Sequence, residues 1–99
     1  MSEAGQYVYV VECSDGTLYT GYTTDVARRV AEHNAGEGAK YTTGRRPVTL
    51  RYVELHNSRS AAQRREHEIK ARSRAQKDQL VPATTDRVAV AFAHTVSRR

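Results

Sequence analysis

Apolar residues gather in short runs separated by polar, glycine-bearing stretches, and the first run already implies a sheet. Residues 7–13 (YVYVVEC) are β-branched or aromatic for most of their length and predict a strand. Ser14-Asp15-Gly16-Thr17 is a turn signal, because Gly16 accepts positive φ. Residues 18–22 (LYTGY) then return as the second arm of a hairpin, and Gly21 within it points to a bulge or a close approach to its backbone. Asp25 is a good N-cap for a helix running to about Asn34, with Val26 and Val30 one turn apart toward the core. Residues 35–47 form a long loop rich in glycine and positive charge, and 48–55 (VTLRYVEL) alternate as a third strand. Ser60-Ala-Ala-Gln63 is a capping box for a helix over 61–72. Ser73-Arg-Ala-Gln76 repeats it for a short third helix that Pro82 ends.

The order β-β-α-β-α-α predicts an α/β fold, a small three-stranded antiparallel sheet flanked by helices, over residues 1–82. Val88, Val90, Phe92, His94 and Val96 then alternate with Ala and Thr. Residues 83–99 are therefore expected to be an extension, either an added strand or a flexible tail.

Size and charge narrow the function classes. Ninety-nine residues make one domain. Sixteen Lys and Arg against eleven Asp and Glu leave a net charge of +5, so nucleic acid is the leading partner class. The single cysteine, Cys13, excludes an internal disulfide and a Cys-rich zinc site, and it falls in a strand as a small core residue. No apolar stretch reaches membrane-span length and no signal-peptide pattern opens the chain, so a cytoplasmic protein without membrane contact is expected.

Hydrolysing a phosphodiester needs a positioned water, a cation for the developing charge and help for the leaving oxygen. A tyrosine can hold or deprotonate the water if cations lower its pKa, and arginine offers a fork of donors to phosphate. One carboxylate can hold a divalent ion that keeps most of its waters. Tyr9, Tyr19, Arg29 and Glu66 supply these parts. Arg29 shares a helical stripe with His33, whereas Arg28 stands at i−4 to Glu32 as an exposed pair. Glu66, one turn past Ala62, lies at the edge of the buried face. Glu68, between Arg64 and Arg72, suits a solvated ion pair. The bland alternative for Glu66 is a bridge to Lys70, and for His33 a helix-end cation. Tyr7 and Tyr22 are expected to be structural, and His56, His67 and His94 lack metal-ligand spacing.

These residues, in this order, resemble the GIY-YIG nuclease superfamily over about residues 6–81. Tyr7-Val8-Tyr9 stands where the family has Gly-Ile-Tyr, and Tyr19-Thr20-Gly21 where it has Tyr-Ile-Gly. Arg29 looks like the family's arginine, His33 matches a position often histidine, and Glu66 looks like the metal-binding glutamate. The run Tyr41-Thr-Thr-Gly-Arg-Arg-Pro-Val48 is most similar to the small single-domain YhbQ-like members. Tyr7 for glycine and Thr20 for an aliphatic residue depart from the pattern, and neither removes a chemical group.

The resemblance implies a metal-dependent endonuclease acting on DNA in preference to RNA, on structured or damaged sites in a repair-type role. It implies one divalent ion, Mg²⁺ or Mn²⁺, on Glu66, and a catalytic set of Tyr9, Tyr19, Arg29, His33 and Glu66. The general base stays open among Tyr9, Tyr19 and His33. Lys40, Tyr41, Arg45 and Arg46 suit a loop that grips the nucleic-acid backbone. The alternative is a non-catalytic nucleic-acid-binding module on the same scaffold, and the oligomeric state is open, a monomer included.

Overall fold

A computed structural model describes residues 5–81. Within them the chain runs β1 (Gln6–Glu12), β2 (Leu18–Thr23), α1 (Val26–Asn34), α2 (Lys40–Thr43), β3 (Thr49–His56), α3 (Arg59–Lys70) and α4 (Arg74–Leu80). The sheet order is β2-β1-β3 with both pairings antiparallel, the α/β arrangement expected from the sequence. One helical turn, α2, interrupts the stretch expected to be loop. The alternating tail lies outside the described residues. No helix among those described is long and apolar enough to cross a membrane.

The central strand is buried on both faces, which is why residues 7–13 form an apolar run without alternation. Val8 and Val10 face α3 and pack with Ala62 and Ile69, while Tyr9, Val11 and Cys13 face the other way with Val48. Val30 of α1 joins that second cluster. On β3, Tyr52 pairs with Val10 and Leu50 with Val11, so Arg51 is an extra, bulged residue. The bulge lets Leu50 and Val53, three apart, pack into the same apolar cluster.

The hairpin between β1 and β2 closes as its turn chemistry demands. Gly16 has φ +85°, and Asp15 accepts bonds from the backbone and hydroxyl of Thr17 at 3.1 and 2.6 Å. Asp25 caps α1 through the amide of Arg28 at 3.1 Å. Ser73 and Gln76 form a reciprocal capping box on α4. The expected box at Ser60 is displaced: Ser58 caps α3 by accepting from Ala61 at 3.1 Å. Two serines two residues apart can both cap, and the earlier one adds half a turn of helix that Ala62 and Ile69 anchor to the sheet. Thr20 is buried, and its hydroxyl has no partner among the described residues, so an aliphatic side chain would suit this place.

A polar cluster fastens α3 to β3. Glu54 accepts from Arg65 Nη2 at 2.9 Å, from the Tyr52 hydroxyl at 2.5 Å and pairs with His56 Nε2 at 2.9 Å. Burial alone would raise the Glu54 pKa, but Arg65, Tyr52 and His56 outweigh it and bring it down to about 2. Its unfolded value is near 4.5, so the contribution is complete above that pH and is lost as pH falls from about 4.5 through about 2. Glu54→Gln is expected to cost roughly 1–3 kcal/mol at pH 7, by the usual worth of charged hydrogen bonds, and to cost far less at pH 3. Urea midpoints at the two pH values check this. Equal losses at both would remove the carboxylate's charge from the fold's stability.

Candidate active site

Strand register brings the two phenols to one face. Tyr9 on β1 lies opposite Gly21, and Tyr19 opposite Val11. The Tyr9 ring passes directly over Gly21, where a built Cβ would stand 2.5 Å from Tyr9 Cζ. The β1–β2 ladder is regular, so Gly21 marks a close approach and not a bulge. The glycine of the triplet is thus a cradle for the first triplet's tyrosine.

His33 sits between the phenols, wholly buried. Its Nε2 is 2.7 Å from the Tyr9 hydroxyl, and its Nδ1 is 2.7 Å from Thr42 Oγ1. The Tyr9 and Tyr19 rings lie 5.8 and 5.4 Å from its own, centroid to centroid. Burial, then the charge of Arg29, lower its pKa, so the imidazole is neutral at neutral pH. A wholly buried ring with both nitrogens hydrogen-bonded is not a solvated helix-end cation in the free protein.

Thr42 donates to the Ala39 carbonyl at 2.9 Å, which leaves its oxygen free to accept from His33 Nδ1–H. Nε2 is then the acceptor of the Tyr9 proton. The three short bonds set this tautomer against the longer approach of the Ala39 amide to Nδ1 at 3.4 Å. Sequence carried no signal for Thr42, one of two adjacent threonines in a loop.

Arg29, Tyr19 and Glu66 all act electrostatically on the Tyr9 hydroxyl. Burial raises its pKa first, Arg29 pulls it down, Tyr19 and Glu66 push it up, and the balance is about 12. The sequence-based expectation that cations acidify Tyr9 is corrected here: burial outweighs the guanidinium. Arg29 also pairs with Glu32 at 3.0 Å, closer than Arg28 at 3.7 Å, so Glu32 serves both arginines.

On α3 the Glu66 carboxylate is part-buried and its Oε2 is 3.0 Å from Lys70 Nζ. The bridge weighed against metal binding is therefore formed in the free protein. Glu68 pairs with Arg65 at 2.7 Å, which replaces the partners expected at i−4 and i+4. Arg65 also grips Glu54, so the residue beside Glu66 anchors this part of α3.

The loop residues separate in role. Tyr41 is exposed and stacks on Tyr19 at 5.8 Å between centroids, with the Arg45 guanidinium 4.1 Å from its ring centre. Arg45 is held by Asp15 at 3.0 Å and by the Tyr41 carbonyl at 2.9 Å. Arg46 donates to the carbonyls of Thr43 and Asn34 at 3.0 and 3.4 Å. Both arginines hold the loop in shape while staying at least partly exposed, and Lys40 is exposed.

Comparison with known proteins agrees with this geometry. The family described as GIY-YIG catalytic domain matches residues 5–79. A UPF0213 protein of Halobacterium salinarum is 72% identical over 74 residues, covering 75% of this chain and 96% of its own length. A UPF0213 protein of Staphylococcus haemolyticus is 59% identical over 78 residues, covering 79% and 95% respectively. The solution NMR structure of a UPF0213 protein from Bacillus halodurans superposes with TM-score 0.51 at 51% identity, over 77% of this chain and 81% of that one. A second NMR structure, of a protein from E. faecalis, gives 0.54 at 44% identity with the same coverage.

Proposed function

The chain belongs to the GIY-YIG family, and we propose that it is a divalent-metal-dependent endonuclease that hydrolyses phosphodiester bonds in DNA. The observation that carries this is the packing of Tyr9 and Tyr19 about the buried His33, with Lys70, the partner of Glu66, beside the Tyr19 ring. Arg29 and Glu66 both act on the charge of the Tyr9 hydroxyl.

The donor set fits one hard, hydrated cation. Among the described residues no group of three or more His, Cys, Asp or Glu gathers as a metal cage. A lone carboxylate such as Glu66 suits Mg²⁺ or Mn²⁺, which keep several waters and take phosphate oxygens as further ligands. When bound there, the ion supplies Lewis-acid neutralisation of charge on the phosphate.

The remaining roles follow from the hydrogen bonds. With a pKa near 12, Tyr9 does not act as a standing phenolate. Its oxygen accepts the proton of the attacking water as its own proton passes to His33 Nε2, whose nitrogen lies 2.7 Å from that oxygen. The imidazolium so formed donates through Nδ1 to Thr42 and lies near Glu32, whose charge favours it. Arg29 forks onto the phosphate as negative charge builds. Tyr19, held between His33 and Tyr41, donates to the water or to a phosphate oxygen. Tyr41, stacked on Tyr19, and Arg45, over Tyr41, begin a rim that with Lys40 and Arg46 would grip the nucleic-acid backbone.

The raised pKa of Tyr9 favours one alternative, a module that binds nucleic acid without cutting it. Nicking of supercoiled plasmid in Mg²⁺ or Mn²⁺, run beside filter binding, separates the two. Conversion to open circles is expected. Binding with no conversion in any divalent ion would establish the module instead.

A further inference from the structure

We propose that Lys70 is a further member of the site, occupying the Glu66 carboxylate in the free protein and passing to the scissile phosphate when the divalent ion binds. The proposal rests on Glu66 being the metal ligand. Lys70 is the last residue of α3, one turn after Glu66, with Nζ 3.0 Å from Glu66 Oε2. The same ammonium lies 5.7 Å from the centre of the Tyr19 ring, so it stands beside that phenol while staying half exposed.

One carboxylate cannot keep both cations at contact distance without strong like-charge repulsion. The Lys70 side chain is about half exposed, at 47%, and an i,i+4 pair of this kind is weak, so the ammonium yields readily to a divalent ion. Once displaced it is mobile on a flexible stem next to Tyr19, where an arriving phosphodiester places its negative charge. Ion and nucleic acid then favour each other's binding, because the phosphate takes up the cation that the metal dislodges.

Mn²⁺ binding to the full-length free protein, read by electron paramagnetic resonance of the unbound ion, tests the first half. Lys70→Met is expected to bind Mn²⁺ about three- to fivefold more tightly than wild type, the loss of a weak competitor. The same variant at saturating Mn²⁺ should nick DNA roughly a hundredfold more slowly, as when one transition-state donor is removed. Lys70→Arg should restore wild-type Mn²⁺ affinity and part of the rate. Tighter ion binding with slower cleavage is a pairing that structural damage does not produce, since damage weakens both. Equal Mn²⁺ affinities for wild type and Lys70→Met overturn the role of Lys70 and leave Glu66 standing. If neither protein binds Mn²⁺, Glu66 is not a metal ligand and both readings fall.

Discussion

Glu66→Gln is expected to lower Mg²⁺-dependent nicking about a thousandfold, from the several kcal/mol a bound cation lends a phosphoryl transition state. The substitution keeps the side chain's size and removes only its charge. Stability should hardly move. The bridge it breaks, to a half-exposed Lys70, is of a kind worth about 0–1 kcal/mol. The anchors of α3 lie elsewhere, in Ala62, Ile69 and the Arg65–Glu54 pair. Nicking rate and melting temperature measured on one preparation check both halves. A rate within tenfold of wild type would remove Glu66 from the mechanism.

Gly21→Ala acts through the fold. The added methyl would meet Tyr9 Cζ at 2.5 Å and Cε1 at 2.8 Å, inside any ordinary carbon contact. The ring cannot retreat, because its hydroxyl is bonded to a wholly buried His33 whose far side is bonded to Thr42. Overpacking of this kind costs about 1–3 kcal/mol, and a 1 Å displacement of the Tyr9 oxygen would slow cleavage about a hundredfold. Chemical denaturation gives the first number and nicking the second. Adding Tyr9→Ala should absorb the methyl, leaving the double variant no less stable than Tyr9→Ala alone. Additive losses would place the cost of the alanine somewhere other than the ring.

The strands were legible because β-branched and aromatic residues cluster in them and Gly16 marks their turn. The α4 cap was legible because Ser73 and Gln76 carry a complete local motif. The sequence offers both Ser58 and Ser60 as caps, and local chemistry alone does not say which of them the sheet will favour. Polar helix residues default to solvent in a pattern-based view, so the complete burial of His33 and its bond to Thr42 were out of reach. The same limit hid Arg65–Glu54, a pair between a helix and a strand eleven residues apart in sequence. The sign of the Tyr9 shift is hidden for a related reason. Charge neighbours can be guessed from a motif, but burial can be weighed against them only in three dimensions. Glycine within a strand fits a bulge or a close approach equally, and the ring of Tyr9 over Gly21 decides between them.

Single-turnover nicking by wild type and Tyr9→Phe, side by side at equal DNA occupancy, tests the central claim most directly. Wild type should convert supercoiled plasmid in Mg²⁺ or Mn²⁺, and the variant should be at least about a hundredfold slower, the usual worth of a general acid–base group, with unchanged affinity for DNA. Equal rates would show that the Tyr9 hydroxyl handles no proton, and a wild type that never cuts would contradict hydrolysis at this site altogether.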